Sequence, residues 1–279
     1  MFSENFALKY HYIMVISVNF LYNDEMGKVC VFVNQKGGVG KTTSAINLGA
    51  YLAEAGKSVL LVDFDSQANL TSGIGISEKQ SKPGVYELIS GIAQLTEVIR
   101  PTIIEKLKVI PSSLDLSGAA VELIEQEDRD YFLRNALEPV RKQYDYIFID
   151  CPPSLGVLTI NGLSAADAVL IPLQCEYFAM EGLTHLLHTV RRIKKGVNPP
   201  LEIGGIFFTM YDPRTRLAQQ VVKEVTGYFR DKVFSTIIPR NVRLSEAPSH
   251  GIPISRYDPQ SSGAKAYKSL AGEVMKNGN

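Results

Sequence analysis

Lys36-Gly37-Gly38-Val39-Gly40-Lys41-Thr42-Thr43 gathers three glycines, two lysines and two hydroxyls into eight residues. Glycines 37, 38 and 40 let backbone N–H groups turn toward an anion, with Val39 between them. Lys41 offers a cation to the β- and γ-phosphates of a nucleotide, and the Thr42 hydroxyl suits Mg²⁺. The segment follows the phosphate-loop pattern G-x-x-x-x-G-K-[ST] except at its first position, where Gln35 replaces glycine. Lys36 is an addition to that pattern. A lysine at the start of the loop folds back poorly onto phosphates held by the same loop, so its side chain is expected to be free to reach another subunit. A glycine-rich turn that binds nothing is the plain alternative. The flanking sequence argues against it, because an apolar run at 29–33 precedes the loop and a small-residue helical pattern at 44–55 follows it.

Two carboxylates sit where such a loop needs them. In Leu60-Leu61-Val62-Asp63-Phe64-Asp65-Ser66-Gln67 an apolar run ends at Asp63 and leaves Asp65 at the mouth of the site. In Tyr146-Ile147-Phe148-Ile149-Asp150-Cys151-Pro152-Pro153-Ser154 a second run delivers Asp150, which reads as the acidic residue that holds Mg²⁺, commonly through water. A lone carboxylate at a strand end often caps a turn. Two of them beside a phosphate loop argue for chemistry instead.

These residues need elements to position them. Near-continuous apolar runs at 59–63, 146–150, 168–172, 203–210 and 234–238 predict strands buried on both faces of a sheet. Helical patterns occupy 131–143, 179–194, 215–230 and 263–275. The alternation predicts one α/β domain, a doubly wound, mostly parallel sheet flanked by helices with right-handed crossovers. Residues 77–111 are the least regular, and Pro83-Gly84 predicts a turn before a short helix. Residues 1–25 precede Met26-Gly27-Lys28 and read as an N-terminal extension outside the fold; 26–279 read as the nucleotide-binding domain.

Composition fits that picture. The chain has 279 residues, 45% hydrophobic and 21% charged, which is ordinary for a globular protein. The apolar stretch 13–22 is interrupted by Ser17 and Asn19, is too short to span a bilayer, and lacks the basic flank and cleavage site of a signal peptide. Cys30, Cys151 and Cys175 form no C-x-x-C pair and are expected to be core thiols of a reducing compartment. His185 and His188 share a helix face without a third ligand at metal-site spacing, and read as surface residues. Net charge is zero, yet residues 191–279 carry 15 Lys and Arg against 7 Asp and Glu, so the remainder is acidic by the same margin. That asymmetry suits contact with a polyanion; a solvated basic face is the alternative.

KGGVGKTT, VDFDSQ and DCPPS, together with Gln174-Cys175-Glu176-Tyr177-Phe178 and Ile238-Pro239-Arg240-Asn241-Val242-Arg243-Leu244-Ser245-Glu246-Ala247-Pro248, resemble the ParA/Soj family of chromosome- and plasmid-partitioning ATPases from Met26 to about Met275. The resemblance implies a deviant P-loop NTPase that uses ATP and Mg²⁺, forms a nucleotide-sandwich homodimer on binding ATP, and binds DNA non-specifically in that state. It also implies stimulation of hydrolysis by a ParB/Spo0J-type partner, and work on the nucleoid in the cytoplasm without a membrane. Carried over residue by residue, it implies that Lys36 crosses to the phosphates of a second subunit and that the loop 37–43, with Lys41, Thr42 and Thr43, holds phosphates and Mg²⁺. Asp150 is implied as the second metal-holding group and Asp65 as the residue that orients the attacking water. Pro239 and Asn241 are implied to lie against adenine, and Arg214 and Arg243 to contact DNA. Ser66 stands where the family has proline, which implies a more flexible loop around Asp65.

Other classes make distinct demands. A MinD-like membrane-cycling ATPase needs a C-terminal amphipathic helix with a basic face and bulky apolar residues, whereas 269–279 is small and weakly apolar. A nitrogenase-type iron–sulfur reductase needs interface cysteines, and Cys151 and Cys175 lie inside partition-type motifs instead. A partition protein that also represses transcription needs a helix-turn-helix domain, for which 25 residues are too few.

Overall fold

A computed structural model describes residues 26–277. Seven strands form one sheet: β1 (Lys28–Phe32), β2 (Val59–Asp63), β3 (Arg100–Pro101), β4 (Leu107–Ile110), β5 (Tyr146–Asp150), β6 (Ala168–Gln174) and β7 (Glu202–Thr209), in the spatial order β3-β4-β2-β5-β1-β6-β7. Every pairing is parallel except β3 with β4 at one edge. The central strands are apolar at consecutive positions because each face meets a helical layer. Val29, Val31, Leu60, Val62, Ile147 and Ile149 serve one core, while Cys30, Phe32, Val59, Leu61, Tyr146 and Phe148 serve the other.

The helices that build the site are α1 (Lys41–Glu54), α2 (Asn69–Gly73), α3 (Val157–Ala165), α4 (Ala179–Gly196), α5 (Arg216–Phe229), α6 (Val242–Glu246) and α7 (Ser262–Asn277). Leu48 and Leu52 of α1 and Tyr267 and Leu270 of α7 cover the Phe32 face. Leu163 of α3 and Leu186 and Val190 of α4 cover the other. Small residues let α1 lie close to the sheet. A Cβ at Gly49 would stand 2.8 Å from Leu61 Cδ2, nearer than side chains pack. In α4 the apolar side chains Leu183, Leu186, Leu187, Val190 and Ile193 recur at helical spacing and are buried, so this face docks on the sheet and the rest meets water.

Some expectations change. The apolar run 234–238 is not a ladder strand, although it runs beside β7 with Phe234 N–H donating to Ile206 O at 2.9 Å and Ile238 N–H to Phe208 O at 2.8 Å. Two of the three N–H groups between them are taken by a side chain: Ser235 and Thr236 donate to the Glu273 carboxylate at 2.7 and 2.8 Å. The expected helix 131–143 divides into an α-helix at Phe132–Leu137 and a 3₁₀ segment at Glu138–Gln143, where Pro139 removes a donor. Strand β4 and helix α3 emerge from segments with no clear periodicity. The extension proposed for 1–25 lies outside the described residues.

β1 lies between β5 and β6: from β1 the chain crosses to β2 on one side, and from β5 it crosses past β1 to β6 on the other. Loops at the carboxyl ends of these strands meet at that reversal, where open α/β sheets take their ligands.

Candidate functional site

The loop leaving β1 is pinned on two sides. Asn34 Nδ2 donates to Pro172 O at 2.8 Å and Asn34 Oδ1 accepts the Lys36 N–H at 3.0 Å, which ties its start to β6. Thr209 Oγ1 donates to Val39 O at 2.8 Å, which ties its end to β7. Gly38 and Gly40 have φ of 72° and 89°, in the left-handed region where a side chain would strain the turn. Beyond them α1 starts at Lys41 with Gly40 as its N-cap and no side chain capping it. Its first-turn N–H groups and the positive end of its dipole are thus available to an anion. A Cβ at Gly37 would meet nothing within 4 Å, so the outer side of the loop is open.

Beneath the loop lies a buried cluster of charge. Lys41 is 7% exposed, Asp150 1% and Asp63 0%. Asp63 and Asp150 are register partners at the ends of β2 and β5. Burial lowers the Lys41 ammonium pKa, against the opposing pull of Asp150, Cys151 and Asp65. Burial together with neighbouring Asp63 pushes Asp150 up to about 8, a rise opposed by the Thr42 hydroxyl bonded to it and by Lys41. Burial also raises Asp63 to about 6, although Thr71 and the Asp65 N–H bond to it. A cation added here would meet a receptive environment.

A metal ion fits this cluster. Asp150 Oδ1 is buried without a hydrogen-bond partner, and the carboxylate already sits against the Thr42 hydroxyl. Two hard oxygens at the foot of a phosphate loop are the donor set of Mg²⁺ held with a nucleotide.

Asp65 lies on the turn after β2, close enough to Lys41 for their charges to interact. Its Oδ1 accepts the Gln67 N–H at 3.0 Å and its carbonyl the Ala68 N–H at 2.9 Å, with Ala68 at φ 52°. The turn at Ser66 is therefore held by its own hydrogen bonds in the absence of proline.

Lys36 is not free, contrary to the expectation from its position. Its ammonium is ion-paired with Glu176 of the same chain, just beyond β6. Beside Glu176, Tyr177 and Phe178 are 65% and 69% exposed and pack edge to face at 4.9 Å.

Pro239 and Asn241 lie on the segment stitched to the end of β7: Tyr211 N–H donates to Ile238 O and Arg240 N–H to Tyr211 O, each at 3.1 Å. Asn241 Oδ1 caps α6 by accepting the Arg243 N–H at 2.9 Å, and its Nδ2 donates to Ser262 Oγ at 2.7 Å. The same stitching brings the Arg214 loop and the Arg243 helix to one end of the sheet. Both arginines have acidic neighbours. Arg214, 86% exposed in its side chain, makes paired bonds to Asp212 at 2.9 and 2.7 Å. Arg243 bonds Glu246 at 2.8 Å and lies 3.5 Å from Asp258.

Sequence reading gave no role to Asp63, Thr71 or Glu176. Asp63 and Glu176 fall within the quoted motifs, which was the available signal; Thr71 carried none. Of the C-terminal helix, Tyr267, Leu270, Ala271 and Val274 are buried, and Tyr267 Oη pairs with Ser44 Oγ at 2.9 Å. Its apolar face is used within the fold, and no helix among the described residues is long and apolar enough to cross a membrane.

A family model described as an AAA domain matches residues 27–203. The chromosome-partitioning ATPase Soj of Treponema pallidum is 63% identical over 250 residues, covering 90% of this chain and 98% of that protein. The sporulation initiation inhibitor protein Soj of Bacillus subtilis is 56% identical over 253 residues, 91% of this chain and 100% of the other. Among solved structures, cobyrinic acid a,c-diamide synthase from Mycobacterium smegmatis with bound ATP analogue and magnesium is 36% identical, with a TM-score of 0.80 over 90% of this chain and 94% of that one.

Proposed function

This chain belongs to the Soj/ParA family of chromosome-partitioning ATPases, and from that membership we propose that it drives DNA segregation as an ATP-switched homodimer. In this reading the ATP-bound dimer binds DNA non-specifically, and a ParB-type partner stimulates hydrolysis to release it. The observation that supports its nucleotide site is Lys41 and Asp150 buried near one another beside glycines held at positive φ.

Phosphoryl transfer depends on positioning and charge neutralisation more than on covalent chemistry by the protein. Backbone N–H groups of 37–43 orient the phosphates, and Lys41 neutralises the β- and γ-oxygens. Thr42 and Asp150 would hold Mg²⁺, which would supply further charge neutralisation at the phosphates. Asp65 orients the attacking water. Lys36 leaves Glu176 and reaches the phosphates of a second copy, so assembly depends on a bound γ-phosphate. Pro239 and Asn241 face the base. Without the activating partner the transition state is under-stabilised, so basal hydrolysis is slow.

Arg214 and Arg243 serve as phosphate contacts to DNA. Each is weak singly, and a dimer presents two sets to one polymer, which raises affinity without new contacts. The test is retention on a non-specific duplex with ATP, with ADP and with neither, alongside phosphate release from the same samples. Retention only with ATP and slow release is the expected result. Equal retention in all three, or no phosphate release over the blank, contradicts it.

A further inference from the structure

We propose that Thr71, acting through Asp63, is a positioning residue for Asp65; the proposal rests on the assignment of Asp65 to the attacking water. Asp63 Oδ2 accepts two hydrogen bonds from Thr71, from its N–H at 2.8 Å and its hydroxyl at 2.6 Å. Asp63 Oδ1 accepts the Asp65 N–H at 3.3 Å. Thr71 Oγ1 in turn accepts the Ser112 N–H at 2.8 Å. Hydrogen bonds therefore run without a break from the segment after β4, through α2 and the end of β2, to the backbone of Asp65.

The links are buried as far as Asp63 and partly buried at Asp65: Ser112 is 0% exposed, Thr71 3% and Asp63 0%. Buried hydrogen bonds are strengthened by the low dielectric around them and so hold one geometry, although the Ser112 hydroxyl itself has no partner among the described residues. Threonine suits the joint because its hydroxyl donates to Asp63 and accepts from Ser112 at once. Asp63 faces Asp150 across the register but its hydrogen bonds run to Thr71 and Asp65, so its role is to hold the turn. Hydrogen bonds inside the turn fix its shape, and the link to Asp63 fixes its place at the end of β2; a displacement of about 1 Å in a positioned group costs roughly a hundredfold in rate.

The test compares steady-state ATP hydrolysis by wild type, Thr71→Val, Thr71→Ser and Asp65→Ala, with Mg²⁺ titrated for each and folding checked by thermal melts. Valine matches threonine in shape and removes the hydroxyl; serine keeps it. Thr71→Val should lower kcat roughly ten- to a hundredfold, with KM for ATP and the Mg²⁺ requirement within about twofold of wild type. Thr71→Ser should stay within about threefold of wild-type kcat. A parallel rise in KM, recovery of Thr71→Val by excess Mg²⁺, or a Thr71→Ser enzyme as slow as the valine variant overturns the proposal. An inactive Asp65→Ala beside an unimpaired Thr71→Val overturns it alone, whereas Asp65→Ala turning over at the wild-type rate removes the water assignment beneath it. If Thr71→Val fails to fold, the ratio of Thr71→Ser to wild type decides, since a loss above about tenfold with the hydroxyl present contradicts the positioning role.

Discussion

The Lys36 ammonium is paired with the Glu176 carboxylate of its own chain, 140 residues away, and both side chains are about half exposed. The proposed sandwich needs that lysine elsewhere, so the pair competes with assembly. An exposed ion pair contributes about 0–1 kcal/mol, or up to roughly fivefold, and two must open per dimer. Glu176→Gln in an Asp65→Ala background should therefore strengthen ATP-dependent dimerisation by up to about 25-fold, less at high salt. Sedimentation equilibrium over a range of protein concentrations measures it. Weaker association would mean that Glu176 acts across the interface instead.

Lys41→Ala removes the cation beneath the loop and leaves Asp150 buried beside Asp63. ATP affinity should fall by at least about a hundredfold, the scale of losing one charge-stabilising group in a closed site. Equilibrium binding of a fluorescent ATP analogue checks this. Affinity within about threefold of wild type would remove Lys41 from the phosphate site.

The glycine-bearing turn between β1 and α1 was legible in the sequence because its glycines lie within a few residues of one another, between an apolar run and a helical pattern. The strands ending in Asp63 and Asp150 were legible because burial on both faces leaves unbroken apolar runs. Run 234–238 misled because apolar composition does not reveal that Glu273 takes the N–H groups of Ser235 and Thr236. Strand β4 was hidden by Lys108, exposed at the middle of its four residues. Helix α3 was hidden because it is buried nearly all round, with Gly162 so close to the residue after β5 that a Cβ would stand 2.5 Å from Cys151 Sγ. The pairing of Lys36 with Glu176 and the links from Ser112 to Asp63 join residues far apart in sequence, and periodicity carries no information about such pairings.

Arg214 is partly neutralised by Asp212, so their substitutions should act in opposite directions on DNA binding. Arg214→Ala and Arg243→Ala should each weaken retention on a non-specific duplex and reduce the salt slope by about one unit for each DNA phosphate no longer neutralised, with ATP-dependent dimerisation intact. Asp212→Asn should strengthen retention at low salt. Filter binding across a salt series reads all three, and unchanged slopes would reduce these arginines to a solvated face.

The same pair sets a pH dependence. Hydrogen bonds from Arg214 hold the Asp212 carboxyl down at about 2. A depressed carboxylate stabilises the fold above its unfolded pKa of about 4, and that contribution is lost as pH falls through about 2. Between about pH 5 and 8 Asp212 stays ionised, so its own titration leaves DNA retention unchanged across that range. Following the Asp212 carboxyl by NMR in wild type and Arg214→Ala should show the titration return to the ordinary range near 4 in the variant. An unshifted titration would remove the pairing.

Light-scattering mass of Asp65→Ala and Lys36→Ala, each with Mg²⁺ and saturating ATP and again without nucleotide, tests the switch most directly. Asp65→Ala should have the mass of one chain alone and of two with ATP, because it binds nucleotide without consuming it. Lys36→Ala should bind ATP and remain a single chain. Asp65→Ala remaining single with ATP bound, or Lys36→Ala doubling as readily as Asp65→Ala, would contradict an assembly built on a lysine that reaches the nucleotide of a second copy.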